Sequence, residues 1–175
     1  MSKLIVTTVE AINVEARKIG YDSDTTGMTI DSDGTMLRTV KPVFYAIGSG
    51  TQSWSGSQNY QVLQCGTAQE NIGGHYNTST YTFTAPIPGQ YYFWNAYANQ
   101  TNSSGGPETY MVRTRGGANT WRGNNIGYSD YYDTNYNSVI FTCERGDTVN
   151  VRMANNNNVS FTIDLGRSSF GGYLI

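Results

Sequence analysis

The stretch Tyr91–Tyr97, reading YYFWNAY, limits what this chain can fold into more than any other. Aromatic runs of this kind favour a β-strand. Successive side chains of a strand point to opposite faces. Tyr91, Phe93 and Tyr97 then share one face, and Tyr92 and Trp94 share the other. A strand that is aromatic on both faces must be covered on both. One face can pack on the core of its own domain. The other needs a second layer, and a single small sandwich has none to spare. A symmetric partner subunit is a natural cover, so the expectation is an oligomer with Tyr92 or Trp94 near the contact.

Other segments alternate with period two and leave one face wet, the mark of antiparallel sheets. Val159, Phe161, Ile163 and Leu165 point one way in Val159–Leu165. Val149, Val151 and Met153 do so in Asp147–Met153, and Val139, Phe141 and Cys143 in Ser138–Glu144. In Thr80–Ala85, Tyr81 and Phe83 alternate with threonines. Short strands separated by turn residues predict an all-β domain.

Charge narrows the function classes. Charged residues are 14% of the chain, against about 25% in an average soluble domain. With 14 Tyr, 6 Phe and 3 Trp the chain is too aromatic for a disordered one. Lys and Arg number 11 against 13 Asp and Glu, so the basic excess of a nucleic-acid binder is missing. No apolar run is long enough to cross a bilayer, and no hydrophobic signal segment follows Met1. The expectation is therefore free, buried Cys65 and Cys143.

The chain divides near Lys41 into an arm, residues 1–40, and a domain, residues 41–175, because all three lysines (Lys3, Lys18, Lys41) lie at or before that point. Residues 7–20 admit two readings. One is an extended arm. The other is a helix with a Thr7–Glu10 capping box, Arg17 and Lys18 in its last turn and Gly20 as its stop. Leu4, Val6, Val9 and Ile12 are the expected attachment residues of the arm. The following DSDTTGMTIDSDG echoes a calcium loop through Asp22, Asp24 and Asp33 but lacks the bidentate Glu. Two successive tight turns account for it without an ion, and no metal or other cofactor is assigned.

Catalysis finds little support. His75 is the only histidine, and a dyad with Cys65 or Cys143 would need an open cleft, so no catalytic residue is assigned. Arg145-Gly146-Asp147 reads as a turn between two strands rather than an adhesion motif. The segment Trp121–Asn137 mixes aromatic, amide and carboxylate residues as binding loops do. Trp121, Arg122, Tyr128, Tyr131, Tyr132 and Tyr136 are its candidate ligand residues, suited to a sugar or another protein.

From Asn71 the chain reads NIGGHYNTSTYTFTAPIPGQYYFWNAY. This resembles the globular head of complement C1q and its relatives, through Asn71, Gly73, Tyr76, Phe83, Thr84, Pro86, Pro88, Gly89, Tyr91 and Phe93. Glu144–Val149 is similar to that family's basic-Gly-Asp turn, Ser169–Ile175 to its last strand and Pro42–Ala46 to its first. The resemblance implies a C1q-like, tumour-necrosis-factor-like jelly-roll β-sandwich, non-enzymatic and homotrimeric. It implies a core and threefold interface drawn from Phe44, Tyr76, Phe83, Tyr91, Tyr92, Phe93, Trp94 and Tyr173.

GMTIDSDGTMLRTVKPVF resembles short arms that precede such domains in bacteriophage virion proteins. The expectation is a homotrimeric phage protein on the virion surface, made in the host cytoplasm. Residues 1–40 would bind capsid or tail proteins, as a capsid decoration protein or a tail-fibre tip. A host surface glycan or protein is a further expected partner; nucleic acid and membrane insertion are not expected. The alternative is a free C1q-like adhesive or lectin-like binding module.

Overall fold

The computed structural model describes residues 17–20, 26–30, 36–37, 41–55, 60–100, 107–126, 134–155 and 160–175. The chain separates into two compact units, Met1–Val40 and Lys41–Ile175.

In the first unit, β1 (Arg17–Gly20), β2 (Thr26–Ile30) and β3 (Met36–Leu37) form an antiparallel sheet in chain order. Ile19 stands opposite Met28, and Ile30 opposite Met36. This corrects the helical alternative at its C-terminal end. Arg17 and Lys18 are strand residues rather than a last helical turn, and Gly20 ends a strand. A single short helix without a partner is marginal in water, whereas β2 supplies β1 with backbone partners. Leu4, Val6, Val9, Ile12 and the Asp-Ser-Asp turns lie outside the described residues.

The second unit is a jelly-roll sandwich of two six-stranded antiparallel sheets among the described residues. Its strands are β4 (Val43–Ile47), β5 (Thr51–Trp54), β6 (Gln61–Val62), β7 (Thr67–Ile72), β8 (Tyr76–Asn77) and β9 (Thr82–Thr84). They continue as β10 (Gly89–Asn99), β11 (Pro107–Arg115), β12 (Ala118–Ile126), β13 (Thr134–Cys143), β14 (Thr148–Asn155) and β15 (Phe161–Leu174). The first sheet runs β13-β10-β15-β4-β7, with β5 on β15. The second runs β12-β11-β14-β9-β8, with β6 on β14.

The inner faces make one aromatic core. Phe44 stacks on Tyr76 at 4.7 Å and on Phe83 at 5.1 Å, and meets Phe170 edge-on at 4.9 Å. Such ring pairs add about 0.5–1.5 kcal/mol each beyond burial. Tyr91, Phe93 and Tyr97 of β10 are fully buried against it. The Tyr76 hydroxyl donates to the Cys65 carbonyl at 2.8 Å, so a phenol is accommodated in an apolar core.

Two adjacent glycines let β10 carry large rings on both faces. Gly171 pairs with Trp94 and Gly172 with Phe93. A Cβ at Gly171 would run into the Trp94 indole, and one at Gly172 into the Phe93 ring. Glycine at this close approach exchanges strand propensity for room.

Several sequence expectations change. β9 spans only Thr82–Thr84, because Tyr81 sits in a turn at φ 56° and cannot continue the alternation. β15 begins at Phe161, and Val159 lies outside the described residues. The segment Trp121–Asn137 is not one loop: Trp121 and Arg122 belong to β12, and Tyr136 belongs to β13. The hairpin with β11 and long-range pairing with β10 extend the two strands into it. The turn at Arg145-Gly146-Asp147 joins strands of different sheets, not a paired hairpin. Gly146 takes φ 87° there, and its amide donates to the Ala85 carbonyl at 2.8 Å.

Candidate functional site

The outer face of the first sheet carries the larger aromatic surface. Register places Ile140, Tyr92, Tyr173, Val43 and Ile72 side by side on β13, β10, β15, β4 and β7. The next row holds Ser138, Trp94, Gly171, Tyr45 and Glu70. Ile140 is 56% exposed, Ile72 47% and Tyr173 42%, so this apolar row meets solvent in the single chain. Trp94 stacks between Tyr45 at 6.5 Å and Tyr92 at 6.0 Å, and Tyr173 leans on both Tyr92 and Trp94. The Tyr92 and Tyr136 hydroxyls hydrogen-bond at 3.0 Å. Hydrogen bonds with Ser138 and Tyr136 draw the Tyr92 hydroxyl below its ordinary value. The same Tyr92–Tyr136 bond pushes Tyr136 up.

The eight residues expected at the core or interface divide between two faces. Phe44, Tyr76, Phe83, Tyr91 and Phe93 are buried within the sandwich. Tyr92, Trp94 and Tyr173 lie on the outer face with ring contacts to one another. Val43, Tyr45, Ile72 and Ile140 complete that face and were not anticipated. Their signal was an apolar residue out of phase with its neighbours, as Ile140 is between Val139 and Phe141.

The expected ligand set is divided as well. Tyr136 joins this first face. Trp121 stands on the outer face of the second sheet with Tyr60, Tyr110 and Arg152, three residues the sequence did not connect with it. Tyr60 and Tyr110 meet Trp121 edge-on at 5.0 and 5.6 Å, and the Arg152 guanidinium lies 5.4 Å from its ring centre. The Tyr110 hydroxyl donates to Glu108 Oε2 at 3.0 Å. Burial first, and then the Glu108 carboxylate, push that hydroxyl up to about 12. Arg122 is exposed and stands opposite Met111, so it falls outside this cluster. Tyr128, Tyr131 and Tyr132 lie outside the described residues.

Asp147 is 3% exposed and accepts from Arg115 Nη2 at 2.7 Å, Arg115 Nε at 2.9 Å and the Glu144 amide at 2.9 Å. Burial alone would raise its carboxyl. The Arg115 and Glu144 hydrogen bonds and the Arg113 charge outweigh that and hold it below the usual carboxylate range. A carboxylate so occupied closes the Arg-Gly-Asp turn structurally and is not offered to a partner.

Both cysteines are free and buried. Desolvation pushes Cys65 up to about 12 and Cys143 up to about 11, so neither supplies a thiolate near neutral pH. Among the described residues, no group of three or more His, Cys, Asp and Glu could hold a metal ion. No helix among them is long and apolar enough to cross a membrane.

Comparison with known proteins fits this geometry. A sequence model described as the C1q domain matches residues 43–175. The globular domain of zebrafish complement 1qA superposes with a TM-score of 0.57 at 19% identity, over 77% of this chain and 98% of that one. Murine APRIL, solved at pH 8.5, superposes with a TM-score of 0.60 at 14% identity, over 78% of this chain and 100% of that one. At these identities the structural likeness speaks for the fold.

Proposed function

The chain belongs to the C1q-domain family across residues 43–175, and from that premise we propose that it is a homotrimeric surface protein of a bacteriophage virion. The head is displayed outward, and residues 1–40 fasten it to capsid or tail proteins. Domains of this family are binding modules that typically form homotrimers.

The observation that carries the assembly is the apolar row Ile140–Tyr92–Tyr173–Val43–Ile72, which crosses the first sheet from edge to edge. A contiguous apolar face of this kind marks an association surface. Its Tyr and Trp residues are the types that anchor interface centres. Burying each large side chain is worth about 1.5–3 kcal/mol, and three protomers would each contribute the set.

The virion assignment is supported by the likeness of GMTIDSDGTMLRTVKPVF to phage arms and by the separation of Met1–Val40 from the head as its own compact unit. Capsid decoration and a tail-fibre tip are the two roles it admits.

Sedimentation equilibrium tests the assembly. The wild type is expected at three times its chain mass. Trp94→Glu, which puts a charge into the covered face, is expected to give a folded monomer, because an unpaired buried charge costs several kcal/mol. A monomeric wild type would remove the trimer. Cryo-electron microscopy of particles tests the location. Density on the capsid lattice selects decoration, and density only at the tail selects the fibre tip. A trimer absent from both is instead the free adhesive or lectin-like module.

A further inference from the structure

The trimer proposal uses the first sheet and leaves the cluster on the second sheet without a role. Tyr60, Tyr110 and Trp121 meet edge to face, with ring centres 6.1, 5.0 and 5.6 Å apart. They come from separate places in the chain: Tyr60 precedes β6, Tyr110 is on β11 and Trp121 is on β12. Arg152 of β14 lies over the indole. Val112, between Trp121 and Asn150 on the same face, is fully buried. The rings therefore roof a small apolar patch, and packing limits their rotation. Even so, Trp121 is 36% exposed and Tyr60 39%. Rigid, part-exposed rings offer flat contact area at little entropic cost.

Arg152 supplies the polar half. Among the described residues its guanidinium is held by the indole contact and by one hydrogen bond, from Nε to Asn150 Oδ1 at 3.2 Å. Among the described residues the ion pairs are Arg113 and Arg115 with Asp147 and Arg167 with Asp164; none involves Arg152. Glu108 is 8% exposed and already accepts from Tyr110. Toward the described residues, the two terminal nitrogens of Arg152 thus keep their donors for an incoming acceptor. A guanidinium fork matches a planar carboxylate through two parallel hydrogen bonds.

We propose that Tyr60, Trp121 and Arg152 form a binding site for a pyranose that carries a carboxylate. The C–H face of the sugar ring stacks on Trp121, the Tyr60 ring, tilted 63° from the indole, walls the edge of the sugar, and Arg152 takes the carboxylate. A peptide of acidic residues alone would satisfy Arg152 but brings no ring face to stack on the indole. The site uses only the outer face of one head, so it does not depend on the virion location.

Isothermal titration of the full chain with a galacturonic-acid tetramer tests this, beside maltotetraose and tetraglutamate as neutral and peptide controls. The acidic sugar is expected to bind at least about tenfold more tightly than either control. Arg152→Gln should remove the preference over maltotetraose, and Trp121→Ala should weaken the acidic sugar by about tenfold or more. Tyr60→Ala repeats the second test at a residue outside any strand, should Trp121→Ala disturb folding. Circular dichroism and sedimentation report the fold and assembly of each variant. No binding by the wild type, equal binding of either control, or an unchanged Arg152→Gln variant overturns the proposal. Trimer mass and particle density are read separately, so failure here leaves the assembly reading standing.

Discussion

Gly171 and Gly172 are adjacent, yet their substitution by alanine should damage different levels of organisation. A Cβ at Gly172 would stand 2.8 Å from Phe93 Cε1 and 3.0 Å from the Tyr92 carbonyl oxygen. Phe93 cannot yield easily, since Phe83 lies at 5.5 Å and Phe141 and Phe170 crowd its other sides. Overpacking of this kind costs about 1–3 kcal/mol. The loss of glycine freedom in the unfolded chain returns about 0.4–1 kcal/mol. Gly172→Ala should therefore destabilise the head by about 1–2 kcal/mol, or about 3–10 °C in Tm.

A Cβ at Gly171 would stand 2.6 Å from Trp94 Cε2 and 2.7 Å from Cη2. That indole is only half-buried and can swing aside in a lone head. In a trimer it cannot do so without opening the contact. Gly171→Ala should leave the head folded and weaken association by about 1–3 kcal/mol per protomer. Thermal unfolding and sedimentation velocity over a dilution series, run on both variants at matched protomer concentrations, separate the two effects. Gly172→Ala should lose stability at every concentration, and Gly171→Ala only where dilution dissociates the wild type less than the variant. Equal stability losses in the two variants, with the trimer intact in both, would refute the division of β10 into a core face and a subunit face.

Other outcomes follow from single groups. Asp147→Asn should cost about 1–3 kcal/mol, discounted from the value of a fully buried pair because the Arg115 side chain is 43% exposed. The folded Asp147 carboxyl is depressed, so its contribution is complete above its unfolded value of about 4 and fades as pH falls through the folded one. Denaturant titrations of both proteins should thus show a constant gap at neutral pH that closes in acid. A gap that widens in acid would reverse that sign. Cys65 and Cys143 should resist a thiol-disulfide reagent at pH 8 (about the value at which a free thiol begins to react) in the native protein and react fully in guanidinium. Rapid native reaction would contradict their burial.

Legibility from sequence followed the range of the interaction. Alternation is local, and it correctly separated Tyr91 and Phe93 from Tyr92 and Trp94, because backbone pleating alone fixes which way a strand residue points. The same rule placed Val149, Val151 and Met153 inward, and all three are buried. It misjudged the strand's extent at Tyr81, where a left-handed turn breaks the pleat although the ring still packs against the core. It also failed across Trp121–Asn137, where the mixture of aromatic, amide and carboxylate residues suggested a loop and sheet pairing made strands at both ends.

The sequence by itself therefore determined the facing of β10, β13, β14 and β15, the aromatic excess that calls for two layers of cover, and the family motifs of a jelly-roll head. Only the tertiary structure decided which strands are neighbours. That choice assembles the row from Ile140 to Ile72, seats Arg115 on Asp147 across 32 residues of chain, and brings Tyr60, Tyr110, Trp121 and Arg152 to one place. The physical reason is that a side chain's direction is set by its own backbone, whereas its neighbours are set by the register of strands far away in sequence.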